Sequence, residues 1–306
     1  MIRELTVDAA EAGLRLDLFV GKALALSRTR VKALFDEDRV RVGGRRAPKG
    51  HKTEAGQRIA VRLDEGVAAL IPEPDSPLAI LYQDDALVFV DKPAGRPSHP
   101  LQPGEGGTVA NALASRFPEV EQASEEPREG GLCHRLDIET SGVLLAARSR
   151  AVWRAVRELF GKRQVDKRYW ALVTGPIADD GEIELPLRHH PRRNDRVEPA
   201  LSGGDDAREA FTAFRVLARV GEHSLVEARI ETGVLHQVRA HLASIGAPIV
   251  GDGLYGGRAT AGLDRFFLHA RALGIRHPLS GSALRVEAPL PADLIGVLEH
   301  LGIPWS

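Results

Sequence analysis

The chain has 306 residues, with 41 Lys plus Arg against 42 Asp plus Glu and a formal net charge of -1. At 43% hydrophobic and 27% charged it has the composition of a folded, not a disordered, chain, and the length predicts two domains or one large domain with a small companion. The lone cysteine, Cys133, excludes an intrachain disulfide and a Cys-based zinc site.

The opening segment MIRELTVDAAEAGLRLDLF has no long apolar stretch, so neither a signal peptide nor a membrane anchor is expected. No run approaches the roughly 18 apolar residues of a membrane span, and a soluble, cytoplasmic protein is the expectation. Leu16, Phe19, Val20, Ala23 and Leu24 recur at helical spacing and predict a first short helix. Ser27 is placed to cap a second, whose Val31, Leu34 and Phe35 point inward while Arg28 and Lys32 share the outer face. DRVRVGGRR reads as a short strand and a Gly43-Gly44 turn, and GQRIAVRL alternates as a strand on Ile59, Val61 and Leu63.

Charge is uneven along the chain. Residues 28–62 carry 11 basic and 4 acidic side chains, whereas residues 67–306 carry 27 and 32. A basic module on an acidic body suggests a polyanion partner for the module, against the alternative of an ordinary solvated face. Residues 13–63, with the Ser27-Arg28 helix start and Arg39-Val40-x-Val42-x-Gly44, resemble the S-four-type RNA-binding module. That resemblance implies RNA contacts from Arg28, Arg30 and Lys32.

Pro72, Pro74 and Pro77 disfavour helix, so 1–65 is read as the small domain, 66–78 as a linker and 79–306 as the body. In the body, ALVFVDKP (86–93) reads as a buried strand, PEVEQASEEPREGG (118–131) as an exposed acidic loop, and VLLAA (143–147) as an apolar strand. Ser149 is placed to cap a helix carrying Val152, Val156, Leu159 and Phe160 inward. RYWALVT and SLVEARI read as strands, and HQVRAHLASIG as a helix closed by Gly246. The irregular alternation predicts an α+β fold with a mixed sheet, not a doubly wound one. No GxGxxG or GxxxxGK[ST] follows a strand, so no nucleotide cofactor is expected.

Four residues carry candidate chemistry. In HRLDIETSG (134–142), Arg135 and Asp137 lie two apart and, in an extended stretch, on one side. The pair either fixes a loop or holds an ionised Asp ready to act as nucleophile or general base. Tyr169 is either a core residue or a stacking partner at a pocket edge. Arg239 either pairs with Glu231 or faces the Asp137 pocket. His134, His236, His241 and His269 lack metal-ligand spacing, so no metal is expected.

His134-Arg135-Leu136-Asp137-x-x-Thr140-Ser141-Gly142 resembles the active-site motif of the RluA-type pseudouridine synthases. Asp91-Lys92-Pro93-Ala94-Gly95, Lys167-x-Tyr169, Thr232-Gly233-x-x-His236-Gln237-Val238-Arg239-x-His241, Gly251-Asp252-x-x-Tyr255-Gly256, Leu268-His269-Ala270 and His277-Pro278 resemble its other motifs, in family order. The resemblance implies a largely antiparallel sheet with flanking helices and isomerisation of uridine in RNA, with no cofactor and no metal. It implies Asp137 as nucleophile and Arg239 as its partner. Tyr169 would stack under the uracil and assist removal of its C5 proton. Arg135 and His134 would contact RNA, and Leu242 would line the pocket. Large-subunit ribosomal RNA is the implied substrate, with transfer RNA as the alternative, and a monomer is expected. An idle RNA-binding or ribosome-assembly factor on the same fold, and a hydrolase using Asp137 with a histidine, are the competing functions. One departure stands out: Val234-Leu235 replaces the basic residue usual after Gly233, which removes a contact to RNA.

Overall fold

In the computed structural model, Leu16, Phe19 and Val20 close against Leu34, Val40, Ile59 and Val61 to form a small core of their own. The structure describes residues 2–24, 26, 28–63, 70–102, 104–200, 206–260 and 262–305, apart from the side chains of residues 28–30 and 194. The chain divides into two compact units, residues 1–69 and 70–306. In the first, helices α1 (Leu16–Ala23) and α2 (Arg28–Asp36) accompany an antiparallel sheet of β1 (Ile2–Thr6), β2 (Val40–Val42), β3 (Arg45–Arg46) and β4 (Arg58–Arg62), ordered β1-β4-β2-β3. Gly43 and Gly44 both have positive φ, +53° and +78°, which is why this two-residue turn needs glycines. Strand β1 has no sequence signature because its residues are almost all exposed and show no alternation. Ser27, the expected cap of α2, lies outside the described residues.

The second unit is built on nine strands. In chain order these are β5 (Ala79–Gln83), β6 (Leu87–Lys92), β7 (Ser141–Ala147), β8 (Asp166–Thr174) and β9 (Asp180–Glu184), then a separate ribbon of β10 (Leu187–His190) and β11 (Arg193–Pro199). The sheet resumes with β12 (Phe211–Val220), β13 (His223–Ile230), β14 (Leu268–Arg276) and β15 (Ala283–Glu287). The order is β5-β6-β7-β14-β8-β13-β12-β9, with β15 on β14. Every pairing is antiparallel except β7–β14, so the expected α+β class with a largely antiparallel sheet holds. At that parallel junction Gly142 has φ +111°, and a Cβ there would stand 2.3 Å from the Ala270 carbonyl oxygen. Only glycine lets the two backbones approach so closely.

Four helices flank this sheet: α3 (Val109–Arg116), α4 (Arg150–Gly161), α5 (Gln237–Ser244) and α6 (Ala292–His300). Ser149 caps α4 as expected, its side chain accepting the Val152 N–H. Two expectations are corrected. Residues 118–131 are not an exposed loop: two 3-10 turns bury Val120, Ala123 and Ser124, and the Ala147 N–H donates to the Gly131 carbonyl. The apolar residues within an acidic stretch decide its placement. Residues 70–78, read as part of a linker, belong to the second unit: Leu70 is buried in its core, and Asn111 Nδ2 donates to the Ile71 carbonyl. Among the described residues no helix is long and apolar enough to cross a membrane.

Candidate active site

Asp137 sits on a short loop just before β7, and several backbone groups around it are held. Ser98 Oγ accepts from the Leu136 N–H and donates to the Leu136 carbonyl, at 3.1 and 3.0 Å. The Ile138 carbonyl accepts from the Gly95 N–H and from Lys92 Nζ, at 2.9 and 2.8 Å. Arg265, itself paired with Asp293, donates to the Glu139 carbonyl, and the Thr140 N–H closes a turn onto the Asp137 carbonyl. Lys92 is fully buried with its ammonium on three carbonyls, those of Pro93, Arg96 and Ile138. Burial pulls its pKa down to about 7, against the pull of Glu139 and Asp137 in the other direction. The Asp91-Lys92-Pro93 turn is thus part of the support that fixes the Asp137 loop.

The Asp137 carboxylate meets Arg239 across 102 residues of sequence: Nη1 donates to Oδ2 at 3.1 Å. Arg239 in turn makes a two-pronged contact with buried Asp252, Nε to Oδ2 at 2.6 Å and Nη2 to Oδ1 at 2.9 Å. Its guanidinium lies over the Phe266 ring, 4.2 Å from the centroid. Burial opposes the Arg239 charge, but Asp252 and Asp137 outweigh it and raise its pKa. His236, the left-handed residue (φ 51°) that opens α5, places Nε2 3.7 Å from Asp137 Oδ2 and Nδ1 3.2 Å from the Tyr255 hydroxyl. Burial lowers the His236 pKa, so the imidazole is a neutral neighbour at pH 7.

These groups face a cavity of about 350 Å³ whose walls include Asp137, Tyr169, Ile230, Val238, Arg239 and Leu268. That is large enough for a small ligand. Tyr169 lies on β8, and burial, then the Asp137 charge, push its phenol pKa up. Among the described residues no group of three His, Cys, Asp or Glu side chains is arranged to hold a metal ion.

A family model described as RNA pseudouridylate synthase matches residues 86–244, which include Asp137, Tyr169 and Arg239. A ribosomal large subunit pseudouridine synthase D of Xanthomonas campestris pv. campestris is 34% identical, over 98% of this chain and 92% of that one. The chain belongs to the RNA pseudouridylate synthase family. An uncharacterized RNA pseudouridine synthase of Mycobacterium bovis is 36% identical over 98% of each chain. Human RNA pseudouridylate synthase domain containing 4 shares the fold with a TM-score of 0.59 at 27% identity, over 74% of this chain and 94% of that one. As a pseudouridine synthase the protein is an isomerase that acts on uridine in RNA.

The synthase brings together Asp137, Tyr169 and Arg239 as expected for one pocket, and it departs from expectation at other positions. Arg135 makes no ion pair with Asp137 among the described contacts; it is exposed, on the pocket rim. Residues 134–140 are a clamped loop, not a strand, and there Arg135 lines the same cavity as Asp137 without pairing with it. Leu242, expected at the pocket wall, is fully buried in the core. His134 Nε2 accepts the Leu145 N–H at 3.1 Å, which ties its ring to β7. Lys32 pairs with Asp36 on α2, and the side chains of Arg28 and Arg30 lie outside the described residues. Val234 and Leu235 pack beside Leu187 and Tyr255, making that rim apolar where the motif resemblance leads us to expect a cation. Sequence reasoning missed the anchoring roles of Asp252, Lys92 and Phe266. The Gly251-Asp252-x-x-Tyr255 motif was the available signal for the first.

Proposed function

We propose that the synthase isomerises a uridine of large-subunit ribosomal RNA, with Asp137 as the nucleophile. The observation that carries the site assignment is the Asp137 carboxylate, paired to a buried arginine and facing a cavity beside Tyr169. In the reaction the N1–C1′ bond breaks, the uracil turns, and a C5–C1′ bond forms; the proton leaving C5 is balanced by the one gained at N1. No electrons or groups are exchanged with a second substrate. The target uridine is flipped out of its stack at a cost of a few kcal/mol, offset by phosphate contacts. Arg239 holds the carboxylate in place and balances its charge. Tyr169 stacks on the uracil; with its pKa raised by burial it stays a phenol, which favours a stacking role over that of a phenolate base. Arg135, exposed at the rim, contacts the RNA beside the flipped base.

Ribosomal RNA is supported by the names of relatives that cover almost the whole chain, the large subunit synthases D of Xanthomonas campestris and Nitrosomonas europaea. The basic stretch 28–62 within the first unit supports an S-four-type RNA grip there. Asp137→Asn is expected to cut pseudouridine formation by about a thousand-fold or more while RNA binding and folding persist. Retained turnover in that variant would remove Asp137 from the mechanism. A pseudouridine map of cellular RNA with and without the gene is expected to lose a mark in large-subunit RNA; loss only from transfer RNA would reassign the substrate.

A further inference from the structure

A second cavity, about 460 Å³, also has Tyr169 in its wall. It shares Arg135, Tyr169, Ile230 and Gly233 with the Asp137 cavity, so the two are neighbours around one aromatic wall. Lys167, two residues before Tyr169 on β8, points to the same side of the strand. Its Nζ donates to the Thr232 carbonyl at 2.6 Å and the Glu231 carbonyl at 3.4 Å and lies 5.7 Å from the Phe160 ring centroid. Arg157 reaches in from α4, held by one bond to the Cys133 carbonyl and stacked on Trp153. Phe160 and His134 contribute ring surface, their centroids 5.2 Å apart. Glu129 completes the lining; burial raises its pKa against the opposing pull of Arg157.

We propose that this cavity holds the base of the nucleotide adjacent to the target uridine, and so reads sequence context. The proposal rests on the placement of that uridine beside Asp137. Donors (Arg135, Arg157, Lys167), carboxyl-bearing residues (Glu129, Glu231) and ring faces line one space. A nucleobase matches that mixture, having donors and acceptors on its edge and apolar faces for stacking. A phosphodiester matches it less well: Arg135, Arg157 and Lys167 would attract its charge, but the carboxyl groups and the Phe160 and His134 rings would have nothing to meet. Base contacts, unlike phosphate contacts, carry sequence information.

The test uses the whole enzyme and a synthetic RNA hairpin carrying the mapped target uridine. An abasic nucleotide on one flank of that uridine is expected to raise KM about tenfold, the size of one lost base contact, with kcat nearly unchanged. Glu129→Gln and Arg157→Ala are expected to raise KM on intact RNA by a similar factor and to add nothing on the abasic RNA. Glu129→Gln keeps the side chain's volume, so the test survives if Arg157→Ala misfolds. Three results would overturn the proposal: abasic sites tolerated on both flanks, variants that weaken intact and abasic RNA equally, or a neutral methylphosphonate in the adjacent linkage reproducing the loss. Turnover of intact RNA, and its loss in Asp137→Asn, report on the uridine site separately, so failure of that site is distinguishable from failure of this one.

Discussion

Arg239 places one positive charge between two carboxylates, and the three contacts differ in kind. The Asp252 contact is two-pronged and buried; the Asp137 contact is a single N–H at the cavity wall. Asp252 therefore aims the guanidinium, and Asp137 receives what is left of the fork. Asp252→Asn replaces one accepting oxygen with a donor amide that clashes with a guanidinium N–H. Its expected effect is a fall in kcat of about 10- to 100-fold with KM for RNA little changed, as for a reacting group displaced by a fraction of an ångström. Single-turnover pseudouridine formation at saturating enzyme measures it; an unchanged rate would make Asp252 a fold contact only. Asp137, Tyr169 and Arg239 could be singled out because a short motif and a recognisable chemistry coincide at each. Asp252 also lies in a motif, but it was not assigned a role, since its contact with Arg239 spans a bend of 13 residues that no periodicity records.

At the scale of elements, two histidines stitch β7 to its surroundings. His134 accepts the Leu145 N–H, and His269 Nδ1 lies 2.9 Å from Ser141 Oγ across the β7–β14 junction. Burial, first among the causes, pulls their pKa values to about 3 and about 4, below the ordinary 6.5. Folded histidines that resist protonation give stability that is present above pH 6.5 and lost as pH falls toward those values. Each is expected to cost about 2 kcal/mol between pH 6.5 and pH 5. Urea midpoints at pH 7.5 and pH 5 measure the loss. His134→Gln, which keeps an acceptor but does not titrate, is expected to flatten part of it; an unaltered pH slope would show that His134 is not the group. Helix α4 was legible from its one-sided apolar spacing and its Ser149 cap. Helix α3 was not, because six of its eight residues are buried and leave no polar face to set a period.

For the whole molecule, the charge split was legible in full and the strand order was not. Counting residues is enough to find +7 within 28–62 and -5 over 67–306. Strand order depends on pairings between distant segments, and no local pattern foretells that β14 inserts between β7 and β8. If the first unit grips RNA through phosphates, Arg45→Gln with Arg46→Gln, two exposed residues on β3, should weaken binding at low salt. Each lost phosphate contact is expected to reduce the slope of log affinity against log salt by about 0.7 to 0.9. Titrations across a salt series measure it; an identical slope would show those charges to be ordinary surface.

The parallel β7–β14 junction has a consequence for the order of events during synthesis. Ser141 and His269 are 128 residues apart, and Arg265 and Asp252, which anchor the Asp137 loop and its arginine, also come late in the chain. A nascent chain emerges from the ribosome amino end first, at about 5–20 residues per second. The basic unit has therefore left the ribosome well before the last anchors of the Asp137 loop have been made. If the first unit is the RNA grip proposed above, a growing synthase acquires its means of holding RNA first and its means of altering it last.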